Sequence, residues 1–224
     1  MMISILGKKV GMTHVFSEDG RMVPVTVVEA GPCPVLAVRE KSVQVGFDPV
    51  SEKKLKKPQA GYFKKLNIAP QKIIRDLQKE PGKEYKAGDE LKADIFKPGD
   101  FVDVSGVSIG KGFQGGMKRW HWKGGPMTHG STSHRRVGSM GSTTTPGRVW
   151  KGHHLPGHMG AGKVTVQSLE IIKVDPANNL LAIKGAVPGY NDNYLVIKTA
   201  KKKKAKVAPA VSLKTEKQPA KKKS

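Results

Sequence analysis

The chain has 224 residues, of which 40 are Lys or Arg and 18 are Asp or Glu, so its formal net charge at pH 7 is +22. This charge indicates a polyanionic partner, and nucleic acid is favoured over a membrane because no run approaches the roughly 18 apolar residues of a spanning helix. Cys33 is the single cysteine, which excludes a disulfide framework and a thiolate metal cluster and fits a reduced, cytoplasmic compartment.

The first fifty residues predict about five short strands with close turns, the spacing of an antiparallel barrel or sandwich. A turn through the glycines of residues 7–11 is expected to separate the first two strands. Ser17-Glu18-Asp19-Gly20 predicts a tight hairpin, because Asp-Gly tolerates the positive φ that such turns require. The predicted strands are Ile3–Leu6, Thr13–Phe16, Met22–Ala30, Val35–Arg39 and Ser42–Phe47.

Residues 48–97 are rich in lysine, interrupted by proline and weakly periodic, which indicates a peripheral insertion. Ser51–Lys65 is a polar excursion that can include a short helix. Further on, alternating apolar residues predict one strand that enters a glycine-rich stretch and another that leaves it. The strands predicted after residue 70 are Lys72–Leu77, Glu90–Phe96, Phe101–Val104, Lys163–Val174, Leu180–Val187 and Tyr194–Lys198.

The stretch from Val104 to Leu169 contains no Asp or Glu, but it holds nine Lys or Arg, 15 of the 26 glycines and six of the seven histidines. Its apolar residues follow neither a helical nor a strand period, so it cannot bury a face of its own. Each cation placed on a phosphate releases condensed counter-ions, which makes nucleic acid the expected surface for this stretch.

The predicted domain organisation has three parts. Residues 1–109 and 163–199 form a β-barrel domain with the peripheral insertion at about 48–97, and residues 110–162 form a long arm that projects from it. Residues 200–224 carry ten lysines and one glutamate, and we expect this tail to be disordered.

Two glycine motifs resemble nucleotide-binding loops. Gly110–Gly115 fits G-x-G-x-x-G, but a dinucleotide site also needs a helix opening at the third glycine and an acid about 20 residues later, and no acid occurs before Glu170. Gly157–Lys163 fits the first seven positions of a P-loop, but Val164 replaces the hydroxyl that binds magnesium. Both motifs are better interpreted as backbone that turns with positive φ or approaches RNA closely.

The histidines raise the question of a metal or catalytic site. Pro156 and Gly157 prevent a helix from aligning His154 with His158, and neither cysteine nor carboxylate completes a tetrahedral set. A catalytic triad would need an acid from elsewhere in the chain. We therefore expect no metal, no cofactor and no catalysis, and contacts of the histidines with phosphate, ribose or bases.

Three tryptophans lie among these cations, where their rings can stack on bases or brace an arm that has no other core; the sequence leaves both open. The predicted RNA-binding residues are Lys111, Lys118, Arg119, Trp120, His121, Trp122, Lys123, His129, His134, Arg135, Arg136, Arg148, Lys151, His153, His154 and Lys163.

Many short sequence motifs, taken in chain order, resemble those of the large-subunit ribosomal protein L-three family in its bacterial form. The resemblance covers Met2 to about Lys198. The motifs include Gly7-Lys-Lys-Val-Gly-Met-Thr, Gly110-Lys-Gly-Phe-Gln-Gly, Lys118-Arg-Trp, Thr128-His-Gly, Thr145-Pro-Gly-Arg, Gly157-His-Met-Gly, Val164-Thr-Val-Gln and Lys184-Gly-Ala-Val-Pro-Gly.

The resemblance implies a mainly β fold, with a six-stranded antiparallel barrel of the translation-factor type at the subunit surface. It implies an extension through large-subunit ribosomal RNA, early binding during assembly and neighbouring large-subunit proteins as partners. We expect neither a membrane nor a small-molecule substrate as a partner. The implied arm tip near the peptidyl transferase centre comprises Gly138, Ser139, Met140, Gly141, Ser142, Thr143, Thr144, Thr145, Pro146 and Gly147.

Two departures from the family pattern matter. Thr144 occupies the position where some bacterial members carry a methylated glutamine, so we expect that modification to be absent. The lysine tail is longer than is usual in bacterial members. The alternative from another functional class is an RNA-modifying or nucleotide-dependent enzyme built on the two glycine motifs.

Overall fold

Antiparallel strands dominate the computed structural model of the chain, which describes residues 4–17, 19–79, 82 and 84–203. Six strands close into a barrel in the order β1-β12-β7-β10-β11-β2, which confirms the predicted mainly β class. These strands are β1 (Ser4–Phe16), β2 (Met22–Ala30), β7 (Phe101–Val107), β10 (Lys163–Asp175), β11 (Leu180–Lys184) and β12 (Tyr194–Thr199). Within the described residues, no helix has the length and apolar composition needed to cross a membrane.

Strand β1 is continuous, so the predicted turn at residues 7–11 is wrong. The strand absorbs the glycines in a bulge, where the register with β2 shifts between Lys9 and Gly11. Gly7 serves close packing, because a Cβ built there would lie 2.8 Å from the Glu29 carbonyl oxygen. The hairpin that follows is confirmed: the Gly20 amide donates to the Ser17 carbonyl at 2.9 Å, and Gly20 has a φ of +72°.

A second sheet packs beside the barrel in the order β5-β4-β3-β6. Its strands are β3 (Cys33–Val38), β4 (Ser42–Pro49), β5 (Gln71–Gln78) and β6 (Glu90–Leu91). A 3-10 turn at Glu52–Lys54 and helix α1 (Lys57–Leu66) connect β4 to β5. The short helix expected in this region is thus present. The prediction of a strand through Phe96 is wrong, because Ala93–Ile95 forms a 3-10 turn that places Ala93 and Phe96 in the core.

The barrel and the second sheet share one hydrophobic core. Buried residues from both sheets belong to it, among them Ile5, Val28, Val35, Val45, Phe47, Leu77, Phe96, Val104, Ile171, Leu181, Ile183 and Ile197. A polar contact also joins the two sheets, since the Tyr194 hydroxyl donates to Asp48 Oδ2 at 2.6 Å. Burial, followed by this hydrogen bond, raises the pKa of Tyr194 and keeps it a neutral donor.

Two neighbouring barrel strands, β7 and β10, precede and follow the long segment between residues 107 and 163. Strands β7 and β10 are antiparallel partners, with Val107 opposite Lys163. A bulge in β10 places Ser168 at a φ of +58°, and its amide donates to the buried Asp103 carboxylate at 2.8 Å. Strand β11 ends at Lys184, earlier than predicted, because Gly185 turns the chain with a φ of +91°.

Candidate nucleic-acid interface

The segment from residue 108 to residue 162, named here the extension, leaves most of its side chains exposed to solvent. Gly116 is its one buried residue. The segment has no carboxylate, and every ion pair found within the described part of the chain lies outside it. Its shape therefore depends on backbone hydrogen bonds, glycine contacts and ring packing.

Backbone hydrogen bonds close the base of the extension. The Ser108 amide donates to the Gly162 carbonyl at 2.9 Å, and the Lys111 amide donates to the Met159 carbonyl at the same distance. The two-residue strands β8 (Phe113–Gln114) and β9 (Gly157–His158) continue this pairing. Gly160 has a φ of +75°, and a Cβ there would overlap the Ile109 carbonyl oxygen. The two limbs of the extension, outgoing residues 108–120 and returning residues 153–162, thus meet at a point that admits only glycine.

A short helix, α2 (Gly116–Trp120), presents Arg119 and Trp120 to the opposite limb. The Trp120 ring stacks on His154, with centroids 4.0 Å apart and planes 7° from parallel. Arg119 Nη1 and Trp120 Nε1 both donate to the Leu155 carbonyl, at 2.7 and 2.9 Å. Trp120 and Arg119 therefore brace the extension internally.

The other two tryptophans differ from each other. Trp122 is half-buried and packs so closely on Gly116 that any Cβ there would overlap its ring. Trp150 is 63% exposed, and the Arg148 guanidinium lies 5.5 Å from its ring centroid. Of the three, Trp150 thus presents the most free ring surface to a partner.

A crossing of two loops holds the middle of the extension. Cβ atoms built on Gly124 and Gly125 would lie 2.6 Å from the His134 carbonyl oxygen and 2.7 Å from that of Ser133. His134 Nδ1 lies within hydrogen-bond distance, 2.9 Å, of the Pro126 carbonyl oxygen. This predicted RNA ligand therefore has one ring nitrogen engaged within the chain.

Most of the predicted cationic ligands remain available. Their side chains are exposed, and none has a hydrogen bond or an ion pair with another described residue; they are Lys111, Lys118, Lys123, Arg135, Arg136, Lys151 and Lys163. Four predicted histidines are exposed too: His121, His129, His153 and His154. All tip residues from Gly138 to Gly147 are exposed except the half-buried Pro146. The result is a cationic surface that no carboxylate among the described residues neutralises through an ion pair.

Neither nucleotide-like motif lies in the structural setting its chemistry needs. Helix α2 does open directly after Gly115, but it has five residues, and each strand pairing described is antiparallel rather than part of a βαβ unit. The P-loop-like segment ends at Lys163, the first residue of strand β10. Among the described residues, no three His, Cys, Asp or Glu side chains group as metal ligands would.

An open cleft of about 970 Å³ in the extension was missed by the sequence analysis. Residues from 122–125, 133–139 and 152–154 line it together. No periodic pattern links these three segments, because turns and glycine contacts bring them together. The sequence shows only that glycines are dense here; the positive φ values of Gly124, Gly138 and Gly152, which turn the chain, are visible in the structure alone.

A β-barrel that carries an acid-free, cationic and glycine-rich extension defines a class of proteins built to lie against a polyanion. Comparison with known proteins makes the class specific. Residues 64–180 match the model of the family described as Ribosomal protein L3. The chain therefore belongs to the ribosomal protein L3 family, as the resemblance predicted.

Bacterial relatives match along nearly their whole length. The chain is 48% identical to Large ribosomal subunit protein uL3 of Brachyspira hyodysenteriae, over 92% of this chain and 97% of that protein. It is 50% identical to the protein of the same name from a Geobacillus species, over 90% and 98%. Identity to that of Acetivibrio thermocellus is 51%, over 87% and 95%.

Proposed function

We propose that the chain is a structural constituent of the large ribosomal subunit in the bacterial cytoplasm, and that it binds large-subunit ribosomal RNA directly. The observation that carries this proposal is the extension, which exposes most of its cations, contains no acid and buries only one glycine. Such a segment gains most by ordering against phosphates. Membership of a family whose relatives are named large ribosomal subunit proteins supports the same function.

The two parts of the molecule then have separate tasks. The barrel, of the translation-factor type, holds the two ends of the extension at Val107 and Lys163 and stays at the subunit surface. The extension enters the RNA, where its exposed Lys and Arg side chains contact phosphates and its glycines admit close approach. The chain binds early, nucleates subunit assembly, and contacts neighbouring large-subunit proteins. It performs no catalysis of its own.

The innermost part of the extension is the loop from Gly138 to Gly147, which reaches toward the peptidyl transferase centre. Gly147 tests this placement because it has a φ of +68° and lies far in sequence from the barrel core. A Gly147→Leu variant should keep the free energy of unfolding of the barrel while it alters assembly or the response to antibiotics that act on peptidyl transfer. Unchanged growth, assembly and drug response would contradict the placement.

The proposed function is tested by sedimentation of a native lysate through a gradient at moderate and then at high salt, with the chain followed by immunoblot. Phosphate contacts made only at a surface weaken steeply as salt rises, whereas an extension enclosed by RNA is retained. We expect the chain to comigrate with the large subunit after the high-salt wash. Release at moderate salt, or a position at the top of the gradient, would overturn the proposal and direct attention to RNA-modifying activity.

A further inference from the structure

The cleft inside the extension has the size of a ligand site. Its volume of about 970 Å³ is near the upper end of the roughly 300–1,000 Å³ typical of sites for small molecules. Three segments that are distant in sequence, 122–125, 133–139 and 152–154, form its walls. The cleft is open to solvent, so its occupant can remain part of a longer chain.

The side chains in the cleft select for an anion that carries a planar ring. No carboxylate lines the cleft, since the sequence has none between Asp103 and Glu170. The residues that line it include Arg136, His153 and the half-buried Trp122. Arginine pairs with phosphate oxygens, and an aromatic ring accepts a stacked base. Divalent metal ions are disfavoured because the lining has the cation of Arg136 but no carboxylate to bind a metal ion and offset its charge.

The glycines of the cleft fall into two kinds. Gly124 and Gly125 are required by the chain itself, because a Cβ on either would lie within 2.7 Å of a carbonyl oxygen across the loop crossing. Gly138 and Gly152 have positive φ values of +75° and +84°, but nothing lies within 4 Å of a Cβ built on either. At these two positions the backbone is bare toward open space, which lets a ligand approach it closely.

We propose that this cleft takes one unstacked nucleotide of the RNA that the extension contacts, with the base against Trp122 and a phosphate on Arg136. A duplex cannot present a base in this way, because its bases are stacked and paired. Single-stranded loops and bulges splay their bases out for recognition by aromatic and arginine side chains. The inference rests on the proposed function, since it names the RNA element that one part of the extension recognises.

Matched variants separate the cleft from the rest of the extension. Gly152→Leu fills the cleft, and Gly130→Leu is its control, because Gly130 also has a positive φ, +75°, and open space around a built Cβ but lies outside the cleft. Arg136→Gln removes the guanidinium in the cleft. Arg135→Gln is compared with it: Arg135 is a neighbouring exposed cation that does not line the cleft, so the loss of its own phosphate contact should alter other nucleotides than the one in the cleft. Neither arginine variant removes a contact that holds the extension together.

The tagged full-length variants are expressed in bacteria, large subunits are purified through the tag, and the RNA is probed with reagents that modify unpaired bases and flexible riboses. We expect Gly152→Leu and Arg136→Gln to raise the reactivity of the same one or two unpaired nucleotides several-fold, while the two comparison variants leave those nucleotides at the wild-type level. If Gly152→Leu fails to enter subunits, the reactivity pattern of Arg136→Gln alone tests the cleft proposal.

Identical probing patterns for Arg136→Gln and Arg135→Gln in intact subunits would overturn the cleft proposal and leave the proposed function standing. Reactivity changes confined to paired nucleotides would overturn it as well, because the cleft would then face a duplex. Absence of the tagged wild-type chain from large subunits would overturn the proposed function itself. The two failures are therefore distinguishable.

Discussion

The barrel and the extension belong to one chain but are stabilised by different means. The barrel and its neighbouring sheet bury a continuous set of aliphatic side chains, many with no exposed surface. The extension comprises all 55 residues between strands β7 and β10 and buries only one glycine. It relies on stacked rings, hydrogen bonds to carbonyl groups and close backbone crossings. A hydrophobic core therefore fixes the barrel, whereas the extension has no comparable core; under the proposed function it completes its packing on a partner.

The largest effect is expected from a cavity in the barrel. Ile183→Ala removes a fully buried side chain from β11 and should lower the free energy of unfolding by about 2–5 kcal/mol. Met127→Ala, in the extension, removes a side chain that is 74% exposed and should change it by less than about 0.5 kcal/mol. Urea denaturation of the isolated chain measures both. Equal losses would show that the extension shares the stability of the barrel.

Salt dependence should distinguish the two regions next. A Lys111→Gln and Lys123→Gln double variant removes two exposed cations of the extension, and the log-log salt slope of binding to large-subunit ribosomal RNA should become shallower by about 0.7–0.9 for each. The matched control is Lys56→Gln with Lys65→Gln, at exposed positions in and beside helix α1. Filter binding over a salt series measures the slopes. Equal slopes for the two double variants would contradict a phosphate-binding role that is specific to the extension.

A local effect is expected at the base of the extension. Gly160→Ala places a Cβ against the Ile109 carbonyl oxygen, so the limbs must separate. Two hydrogen bonds of 2.9 Å should then break, from the Lys111 amide to the Met159 carbonyl and from the Met159 amide to the Gly112 carbonyl. Gly130→Ala has the same φ of +75° but no neighbour within 4 Å, and it isolates the cost of the backbone conformation. Amide hydrogen exchange by NMR should show faster exchange of Lys111 and Met159 only in Gly160→Ala. Unchanged exchange at both amides would show that the limbs are not closed there.

The smallest effect is the pH dependence of stability that arises from the thiol of Cys33, which is buried in the core. Burial raises the pKa of Cys33 from 9.0 to about 12. Between these values the unfolded chain loses a proton that the folded chain keeps, so stability falls as pH rises. From pH 8 to pH 10 the wild type should lose about 1 kcal/mol relative to Cys33→Ala, at about 1.4 kcal/mol for each pH unit. A constant difference, measured by urea denaturation at both values, would show that the thiol is open to solvent.

The sequence predicted the barrel well, because burial on one face leaves a pattern of alternating residues. Met22–Ala30 was located to the residue, and the strands on either side of the extension were identified together. The wrong predictions occurred where the same residues fit two different local structures. Gly7 and Gly11 fit a turn as well as a bulged strand, and pairing with β2 decides between them. The turn at Ala93–Ile95 resembles a strand because both place apolar residues inward.

Within the extension the sequence predicted residue types and exposure but no contacts. The lack of acids and of any period indicated an open, cationic segment, and the structure shows it exposed. The stacking of Trp120 on His154, across 34 positions of the chain, depends on positive φ values at intervening glycines that carry no periodic signal. The cleft was unpredictable for the same reason. The prediction of a disordered tail stays a prediction for residues 204–224, which lie outside the described residues.

Amide hydrogen exchange of the full chain, free in solution and within purified large subunits, tests the contrast between the two regions most directly. Slow exchange is expected in the barrel strands in both states. In the extension, beyond the hydrogen-bonded pairing at its base, we expect fast exchange when the chain is free and strong protection within the subunit. An extension that is as protected in the free chain as the barrel, or that stays unprotected in the subunit, would contradict the claim that it completes its packing on RNA.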